Sequence, residues 1–246
     1  MPAPPKKRLD RILLERGKVP SRQRARALIL AGKVMVNHQV LDKPGTLVLQ
    51  DAKITLKGQD HPYVSRGGQK LQKALQAFKI DVEGMICLDV GASTGGFTDC
   101  LLQHGAGRVF AVDVGYGQLA WKLRNDPRVG VIERTNIRLM SLEALPAPVD
   151  LVVIDVSFIS LKIVVPAILK FMKPEAMILA LIKPQFEVGK GEVGKGGVVR
   201  NPAQHQAVID DLGLFFKRTG LSCGPMIESP ILGPKGNREF MILLKK

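Results

Sequence analysis

The sequence predicts an α/β protein. A doubly wound sheet with an antiparallel edge strand is expected over residues 67–246, behind a small α+β domain at residues 1–57. Three observations carry this. Apolar runs of strand length alternate with helix-like stretches from residue 85 onward. One of these runs, Cys87-Leu-Asp-Val-Gly-Ala-Ser-Thr-Gly-Gly-Phe-Thr-Asp99, breaks at a loop with three glycines and resumes as a helix. Residues 1–80 hold a disproportionate share of the Lys and Arg, set on short helices and turns.

Bulk composition narrows the function classes. A chain of 246 residues with 46% hydrophobic content supports a real core. No apolar run is long enough for a membrane span, and the opening Met-Pro-Ala-Pro-Pro-Lys-Lys does not read as a signal peptide. Cys87, Cys100 and Cys223 are scattered, which suits a reducing cytoplasm and gives no metal-ligand spacing. Net charge is +14, from 36 basic and 22 acidic residues. Concentrated at one end, that excess implies a module for a polyanion, most commonly nucleic acid.

Residues 1–5 read as disordered. From Arg8, the stripe Leu9, Ile12, Leu13 and Leu14 predicts a helix ending at Gly17. Ser21 caps a second helix running to Ala31, with Gly32 as its stop. Ala25, Leu28, Ile29 and Ala31 are expected to face inward, and Arg22 and Arg26 share the opposite face. Two strands follow around a turn at Asn37-His38, then a turn at Lys43-Pro44-Gly45 and a strand over 51–56. This pattern resembles the S4-type RNA-binding domain across residues 7–57. The matching residues are Arg8-Leu-Asp, Ser21-Arg22, Ala25, Leu28-Ile29, Gly32, Val34, Val36-Asn37 and Lys43-Pro44-Gly45. His38 departs from it, standing where that family has glycine. The resemblance implies RNA phosphate contacts from Arg8, Arg22, Arg26, Lys33 and Lys43.

Residues 58–66 read as a linker, and Tyr63-Val-Ser-Arg-Gly-Gly-Gln-Lys70-Leu opens a helix to Phe78. Lys70 falls in its first turn, where the helix dipole disfavours a cation, so a site explains it better than stability does. The glycine loop then offers a nucleotide-sized pocket. Ser93 replaces the second glycine of a dinucleotide fingerprint, and no lysine follows Gly96 as a P-loop requires. A nucleoside with an amino-acid tail, S-adenosylmethionine, suits the loop better. Gly91, Gly95 and Gly96 would let it approach the backbone, Ser93 and Thr94 would cap the helix opening at Phe97, and Asp89 would lie near its ammonium. Asp113 ends the next strand, about 20 residues on, where such folds bind a ribose diol. Asn136 would sit at the adenine edge.

Strands are further expected over 129–133, 150–155, 176–183, 220–227 and 239–244, with helices over 161–171 and 202–218. Residues 184–201 read as a loop near the substrate. Gly189 to Lys195 fits a P-loop only without its metal-binding hydroxyl, because Gly196 replaces it.

Lys70, Asp155, Lys183 and Glu239 stand out at element ends. Two lysines interleaved with two carboxylates can neutralise one another, and such a lysine can accept a hydroxyl proton or steady an alkoxide. The surrounding stretches resemble the hemolysin A (TlyA) family of FtsJ-type RNA methyltransferases. They are residues 63–71, Leu88 to Asp99, Val112-Asp-Val-Gly-Tyr-Gly-Gln-Leu119, Asp155-Val-Ser-Phe-Ile-Ser160, Ile182-Lys-Pro-Gln-Phe-Glu187, Gly194-Lys-Gly-Gly197 and Gly236-Asn-Arg-Glu-Phe240. The resemblance implies a Rossmann-like fold and S-adenosylmethionine as cofactor. It implies a Lys-Asp-Lys-Glu tetrad on Lys70, Asp155, Lys183 and Glu239, with Lys183 activating a ribose 2′-hydroxyl, typically of cytidine in ribosomal RNA. Two other readings compete. A membrane-active hemolysin lacks the expected anchors, and a ribosome-assembly protein without methyl transfer would not need the tetrad.

Overall fold

In the computed structural model, which describes residues 5–19, 21–56, 62–189, 191–194 and 196–246, the chain divides into two units, Met1–Asp60 and His61–Lys246. The linker residues 58–61, the tail at 1–4 and Lys195 of the glycine-rich loop, about which the sequence raises expectations, lie outside the described residues.

In the first unit, β1 (Lys6–Arg8) runs directly into α1 (Leu9–Glu15). The next helix, α2 (Arg22–Leu30), starts where the Ser21 side chain accepts the Arg24 N–H, the expected cap. The hairpin β2 (Val34–Val36) and β3 (Gln39–Val40) turns at Asn37 and His38, with φ of 47° and 69°. Both central residues of such a turn need positive φ, so His38 takes up a conformation that glycine adopts freely. Two further strands, β4 (Leu47–Leu49) and β5 (Ile54–Leu56), pair with β1 and β2 respectively. Leu9, Ile12, Leu13, Leu28, Ile29 and Val34 fill the core. Leu14 is 40% exposed, because it lies one residue round the helix from the buried face. Ala31 is also exposed, as it terminates α2 instead of continuing its apolar face.

The second unit opens with α3 (Gly67–Phe78), β6 (Ile86–Val90), α4 (Gly96–Gln103), β7 (Arg108–Val112), α5 (Trp121–Arg124) and β8 (Val129–Ile132). There follow β9 (Val149–Ile154), α6 (Leu161–Ile168), β10 (Met172–Ile182), α7 (Pro202–Arg218), β11 (Ser222–Glu228) and β12 (Phe240–Lys245). The seven-stranded sheet has the order β11-β12-β10-β9-β6-β7-β8. From β10 to β8 every pairing is parallel. The antiparallel strand is β12; it lies one place in from the edge, between β10 and β11.

Alternation along the strands divides the core between the two faces of the sheet. Leu88, Val90, Val152 and Ile154 pack on one side with Leu161, Val165 and Ile168 of α6 and Leu212 and Phe216 of α7. Cys87, Leu151 and Val153 pack on the other with Leu71 and Leu75 of α3 and Phe97 and Leu101 of α4. The sheet is therefore doubly wound. Burial pushes the Cys87 thiol up to about 12, as suits a core residue and not a nucleophile.

Strand order reverses at β6, whose neighbours are β7 on one side and β9 on the other. A crevice opens at the carboxyl ends of strands at such a switch point. Here the register is tight. Val90 pairs with Ile154, Ile154 with Ala180, and Ile182 with Phe240. The residues just beyond these ends are Gly91, Asp155 and Lys183. Glu239 immediately precedes the antiparallel β12, so it arrives at the same edge.

Candidate active site

That edge carries a cavity of about 390 Å³. Gly91, Ser93, Thr94, Gly96 and Phe97 of the glycine loop line it, with Ser65, Arg66 and Lys70 from the start of α3. Asp155, Ser157, Lys183 and residues 231–234 complete the wall.

In its wall Lys70, Asp155 and Lys183 form a chain of contacts that the buried Glu239 continues behind the lining. Lys183 Nζ lies 2.6 Å from Asp155 Oδ1. Lys70 Nζ lies 3.9 Å from Asp155 Oδ2 and donates to Glu239 Oε2 at 2.7 Å. Side-chain exposures of 9% for Lys183, 10% for Lys70 and 0% for Glu239 remove these charges from most of the screening by water. Two cations and two anions balance, so the cluster can be buried without an uncompensated charge. Lys183 also donates to Ser157 Oγ at 3.1 Å.

The glycine loop is built differently from the sequence expectation. Ser93 and Thr94 do not cap α4. Gly95, at φ 94°, occupies the position before the helix, and no side chain caps from there. Instead Asp89, on the strand that leads into the loop, accepts both the Thr98 N–H (2.9 Å) and its hydroxyl (2.6 Å) on Oδ2. Thr98 is the third residue of the helix, whose N–H an N-cap normally satisfies. Asp89 is thus fully buried beneath the loop, away from the cavity lining, and burial pushes its carboxyl up to about 7.

The glycines also serve the protein's own packing. A Cβ on Gly91 would lie 2.6 Å from the Asp155 carbonyl oxygen, one on Gly95 would strike Leu123, and one on Gly96 would strike Ser65 Oγ. Their missing side chains admit neighbouring chain before any ligand.

Asp113 holds the loop from the other side. Its carboxylate accepts the N–H groups of Ser93 and Gly115, each at 2.7 Å. It lines a smaller hollow with Ala92, Ser93, Gln118 and Glu133. Asn136 joins neither hollow; it is exposed, and its Oδ1 accepts the Arg138 N–H. A side chain that closes its own local turn has no reason to reach the cavity.

In the first unit, Arg8 and Arg22 do not stand free. Arg8 forks onto both oxygens of Asp10 (3.0 and 3.1 Å), and Arg22 Nε donates to Oδ2 at 2.9 Å. Asp10 is wholly buried, and the Arg8 hydrogen bonds hold its carboxyl down at about 2. Arg26, Lys33 and Lys43 are exposed.

Comparison with known proteins then decides the family. The FtsJ-like methyltransferase model matches residues 63–246, and the S4 domain model matches residues 7–54. The chain belongs to the FtsJ-like methyltransferase family. It is 48% identical over 239 residues to the 16S/23S rRNA (cytidine-2′-O)-methyltransferase TlyA of Mycobacterium tuberculosis, covering 97% of this chain and 89% of that one. Hemolysin A of Brachyspira hyodysenteriae is 42% identical over 243 residues, 95% of this chain and 98% of its own. A solved structure from Streptococcus thermophilus that carries the hemolysin name matches with a TM-score of 0.78 at 42% identity, over 99% of this chain and 90% of that one. Among the described residues, no helix of this methyltransferase is long and apolar enough to cross a membrane.

Sequence reading missed several residues of the methyltransferase cavity: Ser65, Arg66, Ser157 and residues 231–234. Ser65 and Ser157 lie inside stretches that carry the family resemblance, two residues from Gly67 and Asp155. Nothing in their local pattern separates them from ordinary turn serines. Residues 231–234 join the wall because they lead into Glu239, and only the antiparallel placement of β12 puts them there.

Proposed function

We propose that this chain transfers a methyl group from S-adenosylmethionine to a ribose 2′-hydroxyl of ribosomal RNA, on a cytidine, with residues 67–246 as the catalytic domain and residues 1–57 as the RNA-binding module. One observation carries the reading: Lys183, paired with Asp155 at 2.6 Å, lies in the same cavity as the glycine loop. The printed activity of the Mycobacterium tuberculosis relative supports the substrate class, and the S4 match supports RNA as partner. An enzyme with that substrate would act in the cytoplasm.

The residues present suit S-adenosylmethionine. Residues 91–94, 96 and 97 of the loop line the cavity, and Asp113 lines the hollow that shares Ala92 and Ser93 with it. Each Asp113 oxygen already holds one backbone N–H; a carboxylate oxygen has two acceptor positions, so a diol can still be bound. Ser65 and Arg66 add a hydroxyl and a cation for a carboxylate. When bound, the cofactor supplies a methyl group activated on a positively charged sulfur.

The protein's part is position and charge. Lys183 Nζ meets the target hydroxyl, takes its proton as the amine or steadies the oxygen's growing charge as the ammonium. Asp155 keeps that nitrogen in place. Lys70 and Glu239 balance Asp155 from behind. Holding the oxygen in line with the methyl group can supply about 7–11 kcal/mol of the barrier.

The test incubates tritiated S-adenosylmethionine with ribosomal subunits from a strain lacking this gene, followed by digestion and mapping. A 2′-O-methylated cytidine is expected. Lys183→Ala should lose about 10²–10⁴-fold in transfer while keeping cofactor affinity. RNA binding without any transfer by the parent would overturn the reading in favour of a ribosome-assembly role.

A further inference from the structure

We propose that Ser157 is a positioning residue for the methyl transfer, fixing the direction in which Lys183 meets the substrate hydroxyl. The inference rests on the function proposed above and adds a residue to it.

A lysine nitrogen is tetrahedral. Its bond to Cε takes one direction and leaves three. In this structure Ser157 Oγ accepts along one of them at 3.1 Å, and Asp155 Oδ1 pairs with the charge at 2.6 Å. The hydrogen bond sets the rotation of the nitrogen about its bond to Cε, and the ion pair holds it in place. The directions that Ser157 leaves carry the other N–H groups of the ammonium, or the lone pair of the amine. Lys183, Asp155 and Ser157 line the same cavity, so a ligand there meets the directions that Ser157 leaves.

Asp155 alone would not set those directions. Its other oxygen is drawn toward Lys70 at 3.9 Å, and a four-carbon side chain can swing about a single contact. An ion pair and a hydrogen bond to partners at a fixed separation restrain both its place and its rotation. The separation is fixed because both belong to one bend after β9. At its start the Asp155 N–H donates to the Val90 carbonyl at 3.0 Å, and the Asp155 carbonyl sits against Gly91. Past its end, Ser160 Oγ donates to Glu187 at 2.6 Å, and the Leu161 N–H donates to the same carboxylate at 2.9 Å. Glu187 follows Lys183 by four residues. The bend holding Ser157 and the segment holding Lys183 are therefore tied together a second time.

In the step itself, the ribose oxygen forms a bond to the methyl carbon as the carbon–sulfur bond breaks. The breaking bond leaves its electron pair on sulfur, and the hydroxyl proton passes to Lys183 Nζ when that nitrogen is the amine. With Ser157 in place, the rotation of that lone pair is set.

The experiment compares the parent with Ser157→Ala and Ser157→Thr, using the full chain, ribosomal subunits as substrate and tritiated S-adenosylmethionine. Cofactor affinity is measured separately by calorimetry. Ser157→Ala should lose on the order of 10–100-fold in kcat, the scale expected of a misdirected reacting group. KM for RNA and cofactor Kd should stay within about twofold, because the contact serves the reacting geometry and not uniform binding. Ser157→Thr keeps the hydroxyl and should recover most of the rate. An unchanged kcat in Ser157→Ala, a loss that appears in KM or Kd alone, or an equal loss in Ser157→Thr would overturn the role of Ser157 while leaving the methyl transfer standing. A parent that transfers no methyl group to RNA would overturn both.

Discussion

Lys70 Nζ and Glu239 Oε2 lie 2.7 Å apart although 169 residues of chain separate them. Their side chains are 10% and 0% exposed. A pair this buried gains from its geometry and from the charge it cancels, and removing one member strands the other. Glu239→Ala leaves Lys70 with Asp155 alone, at 3.9 Å. We expect a loss of about 3–5 kcal/mol in unfolding free energy, read as a lower denaturant midpoint. Replacing both with Lys70→Met and Glu239→Gln should recover most of that stability and none of the methyl transfer. Recovery of activity in the double variant would separate the pair from the reaction.

Gly91 connects the glycine loop to the tetrad through backbone. Its φ is 86°, and a Cβ would meet the Asp155 carbonyl. Gly91→Ala should cost about 1–3 kcal/mol in backbone strain and should also displace Asp155 from Lys183. Gly117 is the control: its φ is 70°, and a Cβ there would meet nothing within 4 Å. Gly117→Ala should show a stability loss and keep far more activity. Equal activity in the two variants would mean that the Gly91–Asp155 contact does not govern the site.

Asp10 gives a pH dependence of definite sign. Its folded carboxyl is held at about 2 by Arg8 and Arg22, below the ordinary value of about 3.9. A depressed carboxyl stabilises the fold above the unfolded value, and that stabilisation is lost as pH falls toward the folded one. The first unit should therefore weaken between about pH 4 and about pH 2, as followed by amide exchange in α1 and α2. Asp10→Asn should be less stable at neutral pH and should lose this component of the acid dependence. An Asp10→Asn profile parallel to the parent's would assign the acid transition to other carboxylates.

The cationic surface of the first unit splits into two kinds. Arg26, Lys33 and Lys43 are exposed and have no ion-pair partner among the described residues, whereas Arg8 and Arg22, exposed as well, are held by Asp10. If the first three contact phosphate, each alanine substitution should lower the slope of log affinity against log salt by about 0.7–0.9, without changing the melting temperature. Arg8→Ala should instead lower the melting temperature, because it uncovers the buried Asp10 charge. Filter binding to ribosomal RNA across a salt series distinguishes the two behaviours.

Much of this was legible in the chain. The αβ alternation, the glycine loop and the helix at Pro202–Arg218 follow from local periodicity and punctuation, which are properties of neighbouring residues. The tetrad could be named because each member ends or begins an element in a family-like stretch. The strands β1 and β4 could not, since they pair with each other across about 40 residues of chain and no local turn announces that pairing. Asn136 looked available for a ligand, and its own turn had already taken it.

The sequence by itself determined the two domains' character, the strands of the sheet and the identity of the four charged residues at its edge. Tertiary structure alone decided who touches whom. Lys183 bonds to Ser157 because β10 lies beside β9. Glu239 reaches Lys70 because β12 enters the sheet antiparallel. Both are contacts between segments distant in sequence, set by strand order and register, and no local pattern of side chains encodes them. Asp89, in place of Ser93 or Thr94, caps the helix that follows its own strand, because the loop folds back over the strand end.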